Sequence, residues 1–273
     1  MNTVFLGAVG KKNIYRRTVS GIYDDQGIFI CSFDHKICIN AYAHVELVDM
    51  YGGESLSLSL QEHSYCMLEI AAIHKTFTGM FSVETDALLE WHAYSLDILE
   101  QNSAHIQIEC IGERARSIGF FVTTCVHSFA KNVTYNATHR TSDTHSFFQA
   151  IALLHAGNFK GSGNFDIHAQ AAESSAIQQW QGVYMGSNSS EWVISPSYRS
   201  LTGNVAIEHS ALCCRYSESF LLYMQSRGFN SSSIQTWYAR SVLRAVLMRI
   251  KAAGGRDFFV SAIEQNIFRI NIN

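Results

Sequence analysis

The chain has 273 residues and a formal net charge of −3; 47% of its residues are hydrophobic and 16% are charged. A chain of this length and apolar content can bury a large core in one or two domains. The negative balance argues against a wholly basic nucleic-acid binder, and the single proline, Pro196, excludes a proline-rich linker.

The seven cysteines form no CxxC pair, and this pattern in so long a chain does not fit a small disulfide-rich secreted domain. The cations Lys11 and Lys12 follow the apolar run near the N-terminus, whereas a signal peptide has its cations first. No run of about 18 apolar residues predicts a transmembrane helix. These features predict a reduced, soluble, cytoplasmic protein without a membrane partner.

Short segments in which apolar and polar residues alternate dominate residues 1–83 and predict strands. Ser55–Leu60 has the clearest period of two in the chain, which should direct Leu56, Leu58 and Leu60 inward and the serines outward. Further strands are expected at Thr3–Val9, Arg17–Tyr23, Gly27–Phe33, Lys36–Ile39, His44–Val48, Tyr65–Ile73 and Thr76–Val83. About seven or eight short antiparallel strands predict a small β-barrel or β-sandwich.

Helical patterns follow. Thr85 to about Gln101 begins with a capping Thr-Asp pair and carries an apolar stripe, and Ser146–His155 is an apolar run closed by a glycine. The glycine-rich stretch Gly157–Asp166 predicts a flexible linker. Ile167–Gln181 has helical composition, and the chain from Trp192 onward is expected to be helical.

The strand candidates His105–Cys110 and Ile118–Phe129 extend the β-rich part to about residue 140. We therefore expect an α+β protein with a β-rich domain over 1–140, connecting helices and a flexible loop over 141–190, and a helical domain over 191–273. The last part carries nine Lys or Arg against five Asp or Glu, whereas the first part is acidic. This asymmetry indicates two functional parts.

An amphipathic helix is predicted over about Ser232–Ala253. Val242, Val246 and Ile250 share its apolar arc, and a cationic stripe lies on a different arc. Because a guanidinium can donate two hydrogen bonds to one phosphate, such a stripe suits a nucleic-acid backbone, although a solvated helix face has the same pattern. The candidate DNA-binding residues are Arg215, Arg227, Arg240 and Arg244.

One stretch resembles the first helix-turn-helix of AraC-type transcription regulators. The resemblance rests on the spacing of Trp192-Val193-Ile194, Leu201, Ile207, Leu212 and Leu222, ending at Arg227. A second register instead places Ser217–Leu221 on the recognition helix, and Asp257-Phe258-Phe259 resembles part of the family's second motif. The segment that normally closes that motif is absent. The resemblance implies a cupin-like regulatory domain in the β-rich half and a DNA-binding helical half.

The segment from Asp143 to Ile151 resembles the start of the nucleophile helix in ovarian-tumour-type cysteine proteases. Ser146 stands at the position of the catalytic cysteine, where a helix dipole would favour a nucleophile. A helix cap formed by Asp143 or Ser146, with the following apolar residues in the core, is the alternative interpretation.

These features lead to three hypotheses. The leading one is a cytoplasmic DNA-binding transcription regulator with a β-rich sensing or dimerisation domain, whose partner is double-stranded DNA. The alternative is a non-enzymatic protein–protein interaction or assembly protein, and the third is a papain-like hydrolase or inactive relative with Ser146 at the nucleophile position. We expect a homo-oligomer or larger assembly, and predict no catalytic residues, cofactor or metal site.

Overall fold

The computed structural model describes residues 3–7, 12–18, 21–24, 36–49, 55–70, 76–95, 102–126, 130–185, 190–231, 233–235, 237–238 and 241–242. Within these ranges the chain is almost entirely β. The strands, in chain order, are β1 (Thr3–Leu6), β2 (Lys12–Thr18), β3 (Gly21–Asp24), β4 (Lys36–Ile39), β5 (His44–Asp49), β6 (Ser55–Leu60), β7 (Tyr65–Ile70), β8 (Thr76–Val83), β9 (Leu88–Ser95), β10 (Asn102–Cys110), β11 (Arg116–Val126), β12 (Ala130–His139), β13 (His145–His155), β14 (Asn158–Ile167), β15 (Ser174–Tyr184), β16 (Trp192–Ser200) and β17 (Val205–Cys214). A helix, α1 (Glu218–Ser226), follows β17, and the Ser217 side chain caps its first turn.

Apart from the β2–β3 pair, successive strands alternate between two sheets. The first sheet has the order β1-β4-β6-β8-β10-β12-β14-β16, and the second has the order β17-β15-β13-β11-β9-β7-β5-β2-β3. Only the β2–β3 pair is antiparallel among the described strand pairs. In the first sheet Asn102 is paired with Lys131, and in the second Arg116 with His145, so this coil takes 29 residues, while the other coils take between 21 and 33. The fold is a parallel β-solenoid, in which each coil stacks on the previous one.

The core lies between the two sheets. In β12 every second residue is buried, including Val133, Tyr135 and Ala137, as a strand with one inward face requires. Aromatic rings contact one another in this core: the Tyr135 and Phe148 rings, from opposite sheets, stack with centroids 4.2 Å apart, and the Trp180 ring of the next coil meets Phe148 edge-on at 5.1 Å. This apolar interior joins the coils into one continuous core.

Six coils turn from the first sheet into the second through a non-glycine residue in the left-handed region. These corner residues have φ between 53° and 63°; they are Tyr42, His63, Asp86, Arg114, Asp143 and Glu173. At this corner the Tyr42 and His63 rings stack, and the Arg114 guanidinium donates a hydrogen bond of 2.7 Å to Asp86. The corner therefore presents a column of charged side chains to solvent.

The expected α+β fold, with an antiparallel barrel or sandwich, is wrong. The strand at Ser55–Leu60 is confirmed, and Leu56, Leu58 and Leu60 are buried as predicted. Its neighbours, however, are the parallel strands β4 and β8 rather than the adjacent segments of the chain. Alternation along one strand identifies its inward face but contains no information about which strand pairs with it.

The helices expected at Thr85–Gln101 and Ser146–His155 are wrong where the structure describes them. The first segment contains β9, which is buried along seven consecutive positions, and the second lies on β13, where Ala150 to Leu154 are all buried. A strand covered on both faces is a continuous apolar run without a period of two. Such a run cannot be separated from a buried helix by its pattern alone.

The flexible linker expected at Gly157–Asp166 is also wrong, because this segment forms β14. Its glycines face large side chains of the opposite sheet. A Cβ atom on Gly161 would lie 2.6 Å from the Trp180 ring, and one on Gly163 would overlap the Gln178 amide. These glycines make room in the core, which is a packing requirement and not a sign of flexibility.

The helical composition expected over Ile167–Gln181 and after Trp192 is wrong as far as β15, β16 and β17 extend. The strand predicted at Gly27–Phe33 and most of the helix predicted at Ser232–Ala253 lie outside the described residues. The division of the chain into domains at 140 and 190 stays a prediction.

Candidate functional site

The last described coil, formed by β16 and β17, leaves one end of the solenoid open. Phe165 and Tyr198 occupy the same inward position on consecutive coils. Phe165 is fully buried, whereas Tyr198 is 60% exposed, because no described coil stacks on it. Leu201 at the following corner is equally exposed. The end of the apolar core is thus accessible among the described residues, and both edge strands have unpaired backbone groups there.

A histidine lies at this open end. The His209 ring stacks on Phe165 and on Tyr198, with centroid distances of 5.3 Å and 5.8 Å. Both ring nitrogens are buried and have no hydrogen-bond partner among the described residues. Burial lowers the pKa of His209 below its ordinary value, which favours the neutral imidazole.

Two adjacent cysteines end β17. Cys213 and Cys214 are partly exposed, whereas the other described free cysteines, Cys38, Cys66, Cys110 and Cys125, are buried in the solenoid. Burial raises the pKa of the Cys213 thiol, and a hydrogen bond from Tyr184 opposes that shift. The Cys214 sulfur accepts a contact of 3.8 Å from the Tyr238 hydroxyl. Of the described thiols, this pair is the most accessible.

The four arginines predicted to bind DNA are only partly described. Arg215 is exposed between β17 and α1, and its guanidinium lies 5.1 Å from the centre of the Tyr184 ring. Arg227 caps the end of α1 and lies over the Tyr223 ring. Arg240 and Arg244 lie outside the described residues. DNA contact by these arginines stays untested.

Ser146 does not stand at the start of a helix. It faces inward on β13, is 2% exposed, and lies 2.9 Å from the His139 Nε2 atom. His139 Nδ1 lies 2.8 Å from the Thr144 hydroxyl. The structure therefore supplies a histidine that the sequence did not indicate, but both side chains are enclosed in the core. His139 and Ser146 are seven positions apart and meet across the corner between β12 and β13, so the sequence could identify this partner only once that corner was known.

No group of three His, Cys, Asp or Glu side chains in the described parts of the chain is placed to hold a metal ion. No described helix is long and apolar enough to cross a membrane. The described residues thus offer the open end, with its cysteine pair and histidine, as the principal candidate site.

A family model described as "SUF system FeS cluster assembly, SufBD core domain" matches residues 40–237, which are 198 of the 273 residues. No curated protein matches the chain. The match overturns the AraC-type resemblance and the DNA-binding regulator hypothesis with its helix-turn-helix, since the first expected motif lies on β16, β17 and α1. It likewise gives no support to a papain-like hydrolase, and it agrees better with the alternative of an assembly protein. Because the match covers well over half of its length, the chain belongs to the SufBD core domain family of the SUF system of FeS cluster assembly.

Proposed function

We propose that this protein is a scaffold for FeS cluster assembly, and that its open end pairs with the same end of a second copy. The proposal rests on the exposed end of the core, where Tyr198 is 60% exposed while Phe165, at the same position of the preceding coil, is fully buried. An uncovered solenoid end carries apolar side chains and free backbone donors and acceptors, which favour association with another sheet edge. Family members act within SUF assemblies, which agrees with such an interface.

A two-fold arrangement is the simplest closed form of this pairing. In it the same patch of each copy contacts the other, so the contact cannot propagate into a fibre. Edge strands β16 and β17 supply the backbone hydrogen bonds, and Tyr198 and Leu201 supply apolar surface. The pairing therefore covers the unpaired edges and the exposed end of the core in one step.

The FeS cluster is the cargo of this scaffold, and the cysteine pair is its proposed attachment point. FeS clusters are held by cysteine thiolates, commonly four of them. Among the described residues, each chain has two partly exposed thiols, Cys213 and Cys214, so two paired copies supply four of them. The raised pKa of Cys213 keeps this thiol protonated until iron displaces the proton. A reducing cytoplasm suits the proposal, since free thiols persist there.

The test compares the wild-type chain with Tyr198→Lys by size-exclusion chromatography coupled to light scattering over a range of concentrations. A lysine on the edge places a charge in the paired interface, so we expect the dimer dissociation constant to increase by at least about 10-fold. Met80→Lys is the matched control, because Met80 is 45% exposed on the outer face of β8, away from the end. A monomeric wild-type chain, or a dimer unchanged by Tyr198→Lys, contradicts the pairing.

The same protein preparations test whether the cysteine pair holds the FeS cluster. After anaerobic incubation with ferrous iron and sulfide, the wild-type chain should show the visible absorbance of an FeS cluster. The double variant Cys213→Ser/Cys214→Ser should lose it, whereas Cys38→Ser, at a buried thiol on β4, should keep it. Equal absorbance in the double variant would show that these thiols are not the attachment point.

A further inference from the structure

A second constellation lies outside the core, at the corner where β13 and β15 begin. His145 Nε2 lies 3.0 Å from Asp143 Oδ1, and His145 Nδ1 lies 2.7 Å from Ser175 Oγ. One imidazole thus bridges a carboxylate and a serine hydroxyl. This arrangement is separate from the open end, from the cysteine pair and from the buried pair Ser146–His139.

The carboxylate determines the direction of these hydrogen bonds. An ionised Asp143 can only accept, so the Nε2 atom of a neutral His145 ring must carry the proton and donate it. The Nδ1 atom is then an acceptor, and Ser175 Oγ–H donates to it. A hydroxyl that donates to a histidine oriented by a carboxylate is the arrangement that activates a serine nucleophile.

The solenoid holds the three residues in place. Asp143 is a corner residue with φ 54°, and its backbone N–H donates to Ala172 O at 2.9 Å. His145 and Ser175 are directly paired in the register of β13 and β15. A rigid sheet positions side chains more accurately than a loop, so little rearrangement is needed before reaction.

A groove of about 410 Å³ lies beside the hydroxyl on the outer face of the second sheet. Arg116 is in register with His145 and lines this groove, where its guanidinium can donate to a developing oxyanion. The next row of the sheet contributes Ile118, Phe147 and Ile177, which form an apolar wall. A cation beside an apolar wall suits an ester with a short apolar acyl group.

We propose that Ser175, His145 and Asp143 form a catalytic triad that hydrolyses small carboxylic esters. Ser175 Oγ attacks the carbonyl carbon, and its proton passes to His145 Nδ1. The C–O bond to the leaving alcohol breaks as that alcohol takes the proton from Nδ1. Water then adds to the acyl-serine with His145 as base, releasing the carboxylic acid and restoring the hydroxyl. The triad is accessible, since Asp143 and His145 side chains are 45% and 36% exposed. This activity does not depend on cluster assembly.

The test is hydrolysis of p-nitrophenyl acetate and p-nitrophenyl butyrate by the full chain, measured as release of nitrophenolate above the buffer rate. General-base activation contributes about 10²-fold or more, so Ser175→Ala and His145→Gln should each lose at least that factor. Ser162→Ala is the matched control: Ser162 is a half-buried serine on the outer face of β14, and its hydroxyl donates to Thr134. Its rate should stay within about twofold of the wild-type rate, against the 10²-fold loss expected at the nucleophile.

Mass spectrometry of the quenched reaction supplies a second readout, an acetyl group on the peptide that contains Ser175. Thermal unfolding of each variant shows whether a loss of rate reflects a loss of fold. A wild-type rate no higher than that of Ser175→Ala overturns the proposal. A folded Ser175→Ala variant with the wild-type rate overturns it too, as does an acetyl group found only on other residues.

Discussion

Acid should destabilise this protein through one buried histidine. His139 is fully buried between the Thr144 and Ser146 hydroxyls, and burial, assisted by the nearby His145, lowers its pKa from 6.5 to about 4. Between these pH values the unfolded chain binds the proton and the folded chain does not. The neutral ring therefore contributes its full stability above pH 6.5, and this contribution is lost as the pH falls towards 4.

The pKa difference sets the size of the effect. Linkage predicts that His139 alone reduces the free energy of unfolding by about 2 kcal/mol between pH 7 and pH 5, and by about 3 kcal/mol at pH 4. Urea unfolding at these pH values measures the loss. In His139→Gln this contribution is absent, so the variant should lose about 2 kcal/mol less than the wild-type chain between pH 7 and pH 5.

His105→Gln is the control, because His105 is an exposed histidine on the outer face of β10 and should keep the wild-type pH dependence. The quantity compared is the change in the free energy of unfolding with pH, so a loss of stability that is the same at every pH in His139→Gln does not affect the comparison. Equal losses in the wild-type chain and in His139→Gln between pH 7 and pH 5 would refute the reasoning.

Two further substitutions test the packing and the buried charge. Gly161→Ala should destabilise the fold by about 1–3 kcal/mol in thermal or urea unfolding, because its Cβ would contact the Trp180 ring at 2.6 Å. Gly203→Ala, which has nothing within 4 Å, should leave stability almost unchanged, and equal effects would contradict the steric account. Burial, together with the charge of Glu46, raises the pKa of Glu69 to about 7. The folded chain therefore favours the protonated carboxyl, and the stability that this form contributes is lost as the pH rises through 7. Glu69→Gln should therefore gain stability relative to the wild-type chain between pH 6 and pH 8, and a constant difference over that range would contradict this assignment.

The sequence could identify strands only where one face was solvated. Ser55–Leu60 alternates strictly, because its serines lie on the outer face, where Ser55 is exposed and Ser59 accepts a hydrogen bond from Ser82, and this strand was predicted correctly. On β13 the residues from Ala150 to Leu154 are buried on both faces, so the same rule predicted a helix. On β14, Gly161 and Gly163 suggested a linker, although they provide space for Trp180 and Gln178. The bulky partner lies on the opposite sheet, where no local pattern can show it.

The proposed catalytic triad was predictable to an even smaller extent. The sequence singled out Ser146, which is buried. At the surface it is Ser175 whose hydroxyl contacts a histidine, and that histidine in turn contacts a carboxylate. His145 and Ser175 are 30 positions apart in the chain and become neighbours only through the coil register. No spacing motif marks such a pair, because coils of unequal length and different sequence stack on one another without a shared repeat.

By itself, the sequence determined a large apolar core, a β-rich first part and the inward faces of the alternating strands. These properties follow from composition and from the period of two in a half-solvated strand. Only the tertiary structure decided that the strands are parallel and that Gly161 and Gly163 make room for Trp180 and Gln178. It also decided that Cys213, Cys214 and His209 share an open end. The physical reason is that pairing in a solenoid joins residues one coil apart, which here means 21 to 33 positions along the chain, and depends on side-chain fit between coils that no local propensity encodes.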